Sequence, residues 1–591
     1  MTPQTKTVLG SRLAQQKLLF DGAFGTYYAQ LFDAKELPEL ANTLHPERVR
    51  QIHAEYIEAG AQIIRTNTFA ANTFSLDLPW ETIQDNLRQG YRLAKEAARG
   101  KDVYVAADIG QIPSDSRSGR EAAAKEYTEI CRTFLEEGAD CFVFETLADL
   151  DDLQEAIRLV GDKAFVVVQF SVNQFGYSNA GLSARKLIQR AEEIPLIDAV
   201  GFNCGVGPGH MQQIIRGVPF SGTKFRTALP NAGYPQYVSN RMIFHNRNID
   251  YFASKVQDMA EDGADLLGGC CGTTPEHIRA LRARLSLTQP KKPPVISIPA
   301  REKAPVEDHS FFAGKEGKPL IAVELAPPLG SDDKALMDAA HLLQKSGVDV
   351  LTFPDSPSGR TRADSILVAE KVARVTGMCV MPHICCRDKN AIAMRSQLLG
   401  AYLNHIQNFL VITGDPIPSM VRNSVKSVFN FDSVGLMRII NDMNEDQFAS
   451  SPICFGGAIN QGRKNLDFEI SRVKKKMAAG ATFFLTQPAS TKESIDRIRR
   501  IKEATGARIL CGIMPFVSLK NAIFIKNEMT GIQVTDEVLA RYRPDMTREE
   551  GEQAGVQLAK EMMALSADFA DGYYFSFPFN RVGMLEKILQ D

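Results

Sequence analysis

The sequence predicts an α/β protein made of two (β/α)8 TIM-type barrels joined by a proline-rich linker. Three observations predict this fold: the chain length, a helix–glycine–strand pattern that recurs in both halves, and a proline-rich stretch between the halves. The chain has 591 residues, of which 44% are hydrophobic and 23% charged, as in globular proteins with large cores. That length fits either two barrels of about 250 residues or about four smaller domains.

The charge balance excludes some classes of partner. The 68 Lys and Arg residues nearly equal the 70 Asp and Glu residues, so the formal net charge is only −2. No general positive field is available to attract nucleic acid or an anionic membrane. No apolar run reaches the roughly 18 residues that a membrane span needs, and residues 1–16 lack the apolar core of a secretory signal. We expect a cytoplasmic protein that acts on small molecules, and a homo-oligomer is compatible with the sequence.

A proline-rich stretch separates the two halves. Residues 287–318 contain five prolines among mixed Lys, Arg and Glu, without helical or strand periodicity. Such a composition is typical of a semi-extended linker. We therefore expect a first domain over residues 1–286, a linker over 287–317 and a second domain over 318–591.

The repeated pattern consists of a helical stretch, a glycine able to adopt the left-handed conformation, and a short apolar strand. The glycines of this pattern are Gly60, Gly138, Gly263, Gly347 and Gly480. Short apolar strands that follow helices indicate a parallel sheet covered by helices. Recurrence in both halves favours two barrels, although periodicity alone also allows a doubly wound sheet.

Polar or metal-binding residues follow four of these glycines at the same distance. The residue seven positions after the glycine is Asn67, Glu145, Cys270 or Gln487, whereas Pro354 follows Gly347. Barrel active sites lie at the carboxyl ends of the strands. Each residue alone could occupy an ordinary solvated loop, but four together indicate functional barrel mouths.

The ten cysteines are too few for a disulfide scaffold. Cys204 and the adjacent pair Cys270 and Cys271 follow apolar segments, so three thiols could meet at one barrel mouth. Three thiolates with an open fourth position describe a zinc site that can bind and deprotonate a substrate thiol. Three buried cysteines without a metal are the alternative. The remaining cysteines, including the pair Cys385 and Cys386, are interpreted as buried packing residues.

Four segments of the first half resemble the zinc-dependent homocysteine S-methyltransferase family, over about residues 10 to 285. The segments are Leu19–Thr26, Thr66–Asn72, Gly201–Cys204 and Gly268–Ile278. The adjacent cysteines between glycines are the most specific of these motifs.

The resemblance implies a specific arrangement of the first site. Zinc would be bound by Cys204, Cys270 and Cys271. Asp21 and Glu145 would bind the homocysteine ammonium group, and backbone amides near Gly22, Ala23 and Thr68 would bind its carboxylate. The methyl donor stays open among S-methylmethionine, S-adenosylmethionine and 5-methyltetrahydrofolate. No segment is left over for a cobalamin module that could relay the methyl group of the folate.

Motifs of the second half occur in the order found in the methylenetetrahydrofolate reductase family, over about residues 318 to 588. They begin with Glu324 in an apolar strand, where burial should raise its pKa, although a carboxylate paired with a basic neighbour is equally compatible. The later motifs are Pro382-His383, Gly414-Asp415, Lys474-Lys475-Lys476, Thr486-Gln487-Pro488, Gly512-Ile513-Met514-Pro515 and Phe579-Asn580-Arg581. The three lysines, taken alone, are typical of a solvated helix face.

This second resemblance implies a flavin-carrying (β/α)8 barrel that uses FAD and NAD(P)H. Glu324 would be the general acid, Asp415 would lie near the flavin and the folate, and Gln487 would bind the folate. His383, Lys475 and Lys476 would contact FAD. The sequence departs from the family at several positions. These are Leu325, Ala326, Thr413 and Leu519, where the family has aromatic residues, an Arg and a Phe.

The combined expectation is a bifunctional enzyme of one-carbon metabolism and methionine biosynthesis. Its first barrel would methylate homocysteine, and its second would reduce 5,10-methylenetetrahydrofolate. Two alternatives stay open at this point. The second barrel could be a non-catalytic folate-binding regulatory domain, or the first could be a metal-dependent lyase or hydrolase.

Overall fold

The computed structural model describes most of the chain. The described residues are 3–33, 36–113, 117–234, 236–238, 241–243, 248–286, 307–315, 317–417, 426–529 and 532–590. Residues 287–306 and 316 of the expected linker lie outside them. The chain divides into two compact units, Met1–Arg301 and Glu302–Asp591.

The first unit contains an eight-stranded sheet in which all the paired strands are parallel. Its strands are β1 (Leu18–Leu19), β2 (Ile63–Arg65), β3 (Tyr104–Gly110), β4 (Cys141–Leu147), β5 (Phe165–Phe170), β6 (Ala199–Asn203), β7 (Phe225–Leu229) and β10 (Leu266–Leu267). The order runs β1-β10-β7-β6-β5-β4-β3-β2, and a parallel bridge between Phe20 and Ile63 joins the two ends. The sheet is thereby closed into a barrel. A separate antiparallel hairpin pairs β8 (Gln236–Val238) with β9 (Arg241–Ile243).

Helices follow the strands of the first unit along the chain. They are α1 (Pro3–Gln15), α2 (Gly25–Phe32), α3 (Ala41–Leu44), α4 (Pro46–Glu58), α5 (Thr73–Leu76), α6 (Trp80–Ala98), α7 (Arg117–Glu136), α8 (Gln154–Gly161), α9 (Ala184–Glu192), α10 (Pro208–Gly217), α11 (Ile249–Glu261) and α12 (Pro275–Arg284). Short 3-10 turns span Pro38–Leu40 and Asp151–Leu153.

The second unit is a closed barrel of eight parallel strands. They are β11 (Leu320–Glu324), β12 (Val350–Phe353), β13 (Val380–Cys385), β14 (Asn408–Ile412), β15 (Cys454–Ile459), β16 (Phe483–Pro488), β17 (Ile509–Ile513) and β18 (Gly572–Ser576). Its helices are α13 (Lys334–Lys345), α14 (Ser365–Thr376), α15 (Ala391–Leu403), α16 (Ser433–Glu445), α17 (Leu466–Ala478), α18 (Lys492–Thr505), α19 (Leu519–Glu528), α20 (Asp536–Leu539), α21 (Arg548–Ser566) and α22 (Met584–Leu589).

The (β/α)8 fold of both halves is therefore confirmed. All five glycines of the repeated pattern have positive φ, between 72° at Gly347 and 104° at Gly60. Each lies between the end of a helix and the start of a buried strand, as expected of left-handed helix caps. Among the described residues, no helix combines the length and apolar character needed to cross a bilayer.

Part of the expected linker packs on the second barrel. Phe311 is buried in that barrel's interior cluster, and its ring contacts those of Phe312 and Phe483 edge-on. The Phe311 amide also donates a hydrogen bond to the Asn408 side chain at 3.0 Å. The described residues 307–315 thus lie close to the start of the barrel strands, at the end opposite the expected active site.

Apolar side chains fill the middle of each barrel, and polar ones lie above them at the strand ends. In the first barrel the inward positions of β2, β3 and β4 carry Ile63, Ala106 and Val143. Because side chains alternate along a strand, the inward residues two positions later are Arg65, Asp108 and Glu145. This polar layer lies at the carboxyl ends of the strands, where barrel active sites are found.

Candidate active sites of the two barrels

Three thiols meet at the mouth of the first barrel. Cys204 follows β6, and Cys270 and Cys271 follow β10. Their sulfur atoms all lie within 4.8 Å of one another, and the Cys204 and Cys271 sulfurs are 3.8 Å apart. Cys270 is buried, whereas the other two are partly exposed. Among the described residues, this is the one cluster of three or more side chains with metal-ligand geometry.

Local backbone geometry directs these thiols toward each other. Cys204 adopts a left-handed conformation with φ of 54°, and Gly272 after the cysteine pair has φ of 79°. The turn after β10 lets both adjacent side chains face one point, which a regular strand would prevent. The amides of Cys204 and Cys270 donate to the carbonyls of Leu229 and Pro230 at 3.1 and 2.8 Å.

The thiol cluster fits zinc. A tetrahedral zinc site with Zn–S bonds of about 2.3 Å places its sulfurs about 3.8 Å apart. The Cys204–Cys271 separation agrees with this spacing. Hydrogen bonds from Cys270 and Cys271 lower the pKa of Cys204 well below its usual value, so the cluster favours a thiolate. The side-chain nitrogen of Asn203, Nδ2, also lies 3.8 Å from the Cys270 sulfur.

A buried guanidinium connects the two carboxylates that the sequence analysis assigned to the substrate ammonium group. Arg65 Nε donates to Asp21 Oδ1 at 2.8 Å, and its Nη1 donates to Glu145 Oε2 at 2.6 Å. Its Nη2 donates to the carbonyls of Gly22 and Gly269 at 2.8 and 2.9 Å. The Arg65 amide donates to Asp21 Oδ2 at 2.9 Å, so both oxygens of Asp21 are engaged. Asp21 and Glu145 therefore lie close together, as the resemblance implies, but the cation between them is the side chain of Arg65.

The Arg65 guanidinium stays positively charged despite its burial. Burial lowers the pKa of Arg65, but the charges of Glu145 and Asp21 offset this, so its pKa lies well above the usual value. A third carboxyl, Asp108, lies nearby and is 5% exposed. Burial, together with the charge of Glu145, raises its pKa well above the usual range.

The amides expected to bind the substrate carboxylate are partly engaged. The Ala23 amide donates to Thr273 Oγ1 at 3.0 Å. Thr68 is buried, and its hydroxyl donates to the Asp108 carbonyl at 2.7 Å while lying 2.6 Å from the Thr66 hydroxyl. Thr68 thus lies beside the polar layer, and its side chain holds the backbone of β3.

Asn67, which the repeat singled out, lies outside this arrangement. Its side-chain nitrogen donates to the Pro38 carbonyl at 2.7 Å and to Asn42 Oδ1 at 3.0 Å. These contacts secure the loop before α3 and give Asn67 a structural role.

At the second barrel mouth, Glu324 ends β11 and faces inward. The Tyr574 hydroxyl donates to Glu324 Oε2, and the Ser576 hydroxyl donates to Oε1 at 3.1 Å. Burial raises the pKa of Glu324, and these two hydroxyls offset part of that rise. Glu324 is therefore protonated more readily than an exposed carboxyl group, as a general acid requires.

His383 and Gln487 lie on other strands of the same mouth. His383 is 6% exposed, and its Nε2 has no hydrogen-bond partner among the described residues. Burial lowers its pKa to about 3, so the ring is neutral. Gln487 is partly exposed near the end of β16, and its backbone carbonyl accepts a hydrogen bond from Gln461 Nε2 at 2.8 Å.

Asp415 lies in the loop after β14, on the surface of the mouth. Its Oδ2 accepts from the Ser358 amide at 2.7 Å, and its carbonyl accepts from Arg387 Nη1 at 3.2 Å. Arg387 is 2% exposed and also donates to Asp388. Thr413 occupies the position where the family has an Arg. In this chain the buried cation that reaches the loop is Arg387, which follows the neighbouring strand β13.

The structure does not bring Lys475 and Lys476 to the mouth. Both lie in the last turn of α17, which runs back from the end of β15 toward the start of β16. Lys475 is exposed. The Lys476 ammonium group is buried and donates to the Ala458 carbonyl at 2.6 Å, and burial lowers its pKa to about 8.

Four residues near the two mouths were missed by the sequence analysis: Arg65, Asp108, Arg387 and Tyr574. Arg65 and Asp108 did carry a signal, since each is a charged residue inside an otherwise apolar strand. Tyr574 gave none, because a tyrosine in a strand is ordinary core composition.

The fold and the two mouths are those of a two-barrel protein with one candidate active site in each barrel. Residues 18–285 match the family model of homocysteine S-methyltransferase, and residues 311–575 match that of methylenetetrahydrofolate reductase. Each half of the chain thus matches one of these two families.

Two methionine synthases each match about half of the chain. The methionine synthase of Mycobacterium leprae strain TN is 29% identical over 311 residues, which cover 48% of this chain and 25% of that protein. The methionine synthase of Mycobacterium tuberculosis is 28% identical over 299 residues, covering 46% of this chain and 25% of that protein. The chain therefore matches only about a quarter of the length of these relatives.

Solved structures of the homocysteine methyltransferase MmuM from Escherichia coli also match. The apo form is 22% identical with a TM-score of 0.38, and the metallated form is 21% identical with a TM-score of 0.39. Each match covers 48% of this chain and 100% of the other.

Proposed function

We propose that this protein is a bifunctional enzyme of methionine synthesis. Residues 1–286 would transfer a methyl group to homocysteine, giving methionine. Residues 318–591 would reduce 5,10-methylenetetrahydrofolate to 5-methyltetrahydrofolate with NAD(P)H and FAD. The observation that carries the proposal is the cluster of three thiols at the mouth of a barrel that matches the homocysteine S-methyltransferase family.

In the first barrel, Cys204, Cys270 and Cys271 would hold zinc. Zinc bound to three thiolates supplies a fourth position at which a substrate thiol is held as its thiolate at neutral pH. In the methyl transfer, a carbon–sulfur bond forms to the homocysteine sulfur while the bond between the methyl group and its donor breaks. The donor keeps that electron pair, which favours sulfonium donors because their leaving group is neutral.

The chain's own residues order this mouth. The Asn203 side chain accepts from the Thr146 amide at 2.7 Å and donates to its hydroxyl at 2.9 Å, so the end of β6 is fixed beside Cys204. Arg65 bonds to the carbonyl of Gly269, directly before the cysteine pair. Such support keeps the thiols in place before substrate binds, which lowers the entropic cost of reaching the reactive geometry.

In the second barrel, Glu324 would donate a proton to the methylene bridge nitrogen of the folate, which promotes ring opening to the reactive iminium. Tyr574 and Ser576 hold its carboxyl group in place. FAD supplies the hydride transfer from the nicotinamide to the folate. The unpartnered Nε2 of His383 fits a polar ring system bound in this mouth, and Gln487 and Asp415 would contact the folate and the flavin region.

The first experiment tests methyl transfer and the donor. Zinc-loaded protein is given homocysteine with S-methylmethionine, S-adenosylmethionine or 5-methyltetrahydrofolate in separate reactions, and methionine is measured. We expect methionine with at least one donor. If no donor gives methionine while the protein holds one zinc per chain, the methyltransferase proposal is wrong.

The second experiment tests the reductase. The purified protein should show a flavin spectrum that bleaches when NADH or NADPH is added and recovers when methylenetetrahydrofolate follows. A protein that binds folate but shows no flavin would instead support the regulatory alternative. The Glu324→Gln variant is the matched control, because it should still bleach with the nicotinamide but recover slowly with the folate.

A further inference from the structure

The two oxygens of the Glu324 carboxyl group, in the second barrel, have different partners on β18. The Tyr574 hydroxyl donates to Oε2, and the Ser576 hydroxyl donates to Oε1 at 3.1 Å. Ser576 is level with Glu324 in the pairing of β11 with β18. Tyr574 lies two residues lower, beside Ala322, whose small side chain leaves room for the ring. Oε2 therefore faces the floor of the barrel, whereas Oε1 lies on the side of the mouth.

The two hydroxyl groups also have different surroundings. Tyr574 is 8% exposed and belongs to the apolar cluster inside the second barrel. Among the described residues, Glu324 Oε2 is the one acceptor bonded to its hydroxyl. A phenolic hydrogen keeps close to the plane of its ring, and a buried donor needs its acceptor, so this hydroxyl stays directed at Oε2. Ser576 is partly exposed, and its hydroxyl rotates to donate or to accept.

This difference decides which oxygen of Glu324 carries the acidic proton. When the carboxyl group is protonated, the oxygen that still accepts from Tyr574 is the carbonyl oxygen, Oε2. The proton then lies on Oε1. The Ser576 hydroxyl can turn away from Oε1 or accept from it, so it does not oppose protonation there. Oε1 is also the oxygen on the side from which a substrate in the mouth would approach.

We propose that Tyr574 directs the acidic proton of Glu324 to Oε1, the oxygen that faces the substrate. The inference rests on the proposed function, because it takes Glu324 as the general acid. In the acid step the proton leaves Oε1 for the nitrogen of the methylene bridge, and that nitrogen keeps the electron pair of the carbon–nitrogen bond that breaks. The partly exposed Glu324 then regains a proton from solvent. Tyr574 is a positioning residue, because it acts through Glu324.

The same hydrogen bond affects how readily Glu324 ionises. Burial raises the pKa of Glu324, whereas the bonds from Tyr574 and Ser576 favour the carboxylate and lower it. The charge of Arg362, in the loop after β12, lowers it as well. Because Glu324 acts only while protonated, folate reduction is lost as the pH rises through its pKa. Without the Tyr574 donor the pKa is higher, so this loss should occur at a higher pH.

Tyr574→Phe removes the hydrogen bond and keeps the ring. Flavin reoxidation by methylenetetrahydrofolate is measured against pH by stopped-flow absorbance with the full-length protein. We expect the alkaline limb of the profile to move up by about one to two pH units, as for loss of a hydrogen bond to a charged group. The maximal rate at low pH should fall by at least about twofold, because the proton is then shared between both oxygens.

Tyr573→Phe is the matched control. Tyr573 lies on the same strand, is 5% exposed, and donates its hydroxyl to the Met563 carbonyl at 3.1 Å. This variant loses the same group but should keep the wild-type profile. 3-Fluorotyrosine in place of Tyr574 keeps the shape of the ring and strengthens the donor, so it should move the limb to lower pH. The inference is overturned if Tyr574→Phe leaves the limb or the maximal rate unchanged, or if Tyr573→Phe moves the limb equally.

An infrared titration tests the hydrogen bond without the reaction. The carboxylic acid C=O absorption that is missing in Glu324→Gln follows protonation of Glu324 in the absence of folate and nicotinamide. Its midpoint should lie at a higher pH in Tyr574→Phe than in wild type. If the midpoint shifts but the protein reduces no folate, the proposed function fails and the effect of Tyr574 on Glu324 stands. If folate is reduced but Tyr574→Phe keeps the wild-type midpoint and rate profile, this inference fails and the proposed function stands.

Discussion

The buried carboxyl groups of the two barrel mouths have different hydrogen-bond partners. In the first barrel, Asp21 and Glu145 are bonded to the guanidinium of Arg65. In the second, Glu324 is bonded to the hydroxyls of Tyr574 and Ser576 and has no ion pair within 4.0 Å among the described residues. A neighbouring guanidinium favours the ionised form of a carboxyl group, whereas burial beside hydroxyl donors leaves a carboxyl group able to carry a proton. The first mouth is thus suited to binding charged groups, and the second to proton donation.

The adjacent cysteine pairs of the two barrels also differ from each other. Cys270 and Cys271 follow a strand in a turn and both reach the third thiol. Cys385 is the last residue of β13, and the sulfurs of Cys385 and Cys386 approach different acceptors, Asp388 Oδ2 and the Ile412 carbonyl. Burial raises the pKa of Cys385 to about 12, so its thiol stays protonated. A pair of cysteines becomes a metal site only where the backbone turns and a further ligand is present.

The largest effect is expected when a thiol of the cluster is removed. Cys270→Ser should lose zinc and methyl transfer, with a fall well beyond the roughly 10- to 100-fold seen when outer partners of a metal site are removed. Metal analysis and methionine formation measure this. Cys386→Ser, from the other adjacent pair, should keep full zinc content. Stoichiometric zinc in Cys270→Ser would contradict the assignment.

Removal of the carboxyl group in the second mouth should have the next largest effect. Glu324→Gln cannot donate a proton, so folate reduction should fall by about 10²- to 10⁴-fold, the usual contribution of a general acid. Methyl transfer in the same protein should not change. Stopped-flow absorbance of the flavin measures the reduction step. A variant that reduces the folate at the wild-type rate would show that Glu324 is not the acid.

The ion pairs and the hydroxyl bonds should differ in their contribution to stability. Arg65→Met leaves two buried carboxylates unpaired and should lower the free energy of unfolding of the first barrel by about 3–5 kcal/mol. Tyr574→Phe should cost the second barrel about 1–3 kcal/mol. Trp80, the one tryptophan of the chain, lies in the first barrel, so its fluorescence in urea reports the Arg65→Met effect. A loss below about 1 kcal/mol there would contradict the buried ion-pair network.

The contribution of His53 to the stability of the first barrel should depend on pH. Burial lowers the pKa of His53 to about 4, and neither ring nitrogen has a partner among the described residues. Between pH 6.5 and 4 the unfolded chain binds a proton at His53 that the folded protein does not, so the contribution of His53 to stability falls as pH falls through this window. At pH 5 the loss is about 2 kcal/mol. The Trp80 transition of His53→Leu should lack this loss, whereas His383→Leu, in the second barrel, should retain it.

The smallest effect is expected at Lys475. Because this side chain is exposed in the last turn of α17, Lys475→Ala should change flavin affinity by less than about twofold. Fluorescence titration of the protein with FAD measures this. A large loss of flavin would show that the lysine reaches the cofactor after all, as the family resemblance implies.

The sequence predicts the barrels because their signals are local. Each left-handed glycine lies within a few residues of the helix that it ends and the strand that it precedes, and each strand is short and apolar. The thiol cluster could be predicted for a related reason. Parallel strand ends meet at one edge of a closed sheet, so Cys204 and Cys270 converge once the fold is known.

The partners of the charged and polar groups could not be predicted in this way. Arg65 contacts Asp21 and Glu145 from 44 and 80 positions away, and Tyr574 contacts Glu324 across 250 positions. The last contact exists only because closure of the second barrel pairs its first strand with its last. Sequence pattern places a residue on a strand or helix but does not give the register between distant strands.

Local sequence patterns predict the two barrels, the edge of each barrel that carries its candidate site and the three thiols of the first site, because periodicity and strand ends are local features. Long-range contacts show that Arg65 pairs with Asp21 and Glu145, that an Asp108 oxygen has no partner among the described residues, and that Lys475 lies away from the mouth. These properties depend on side chains from distant strands that meet only after the sheet has closed.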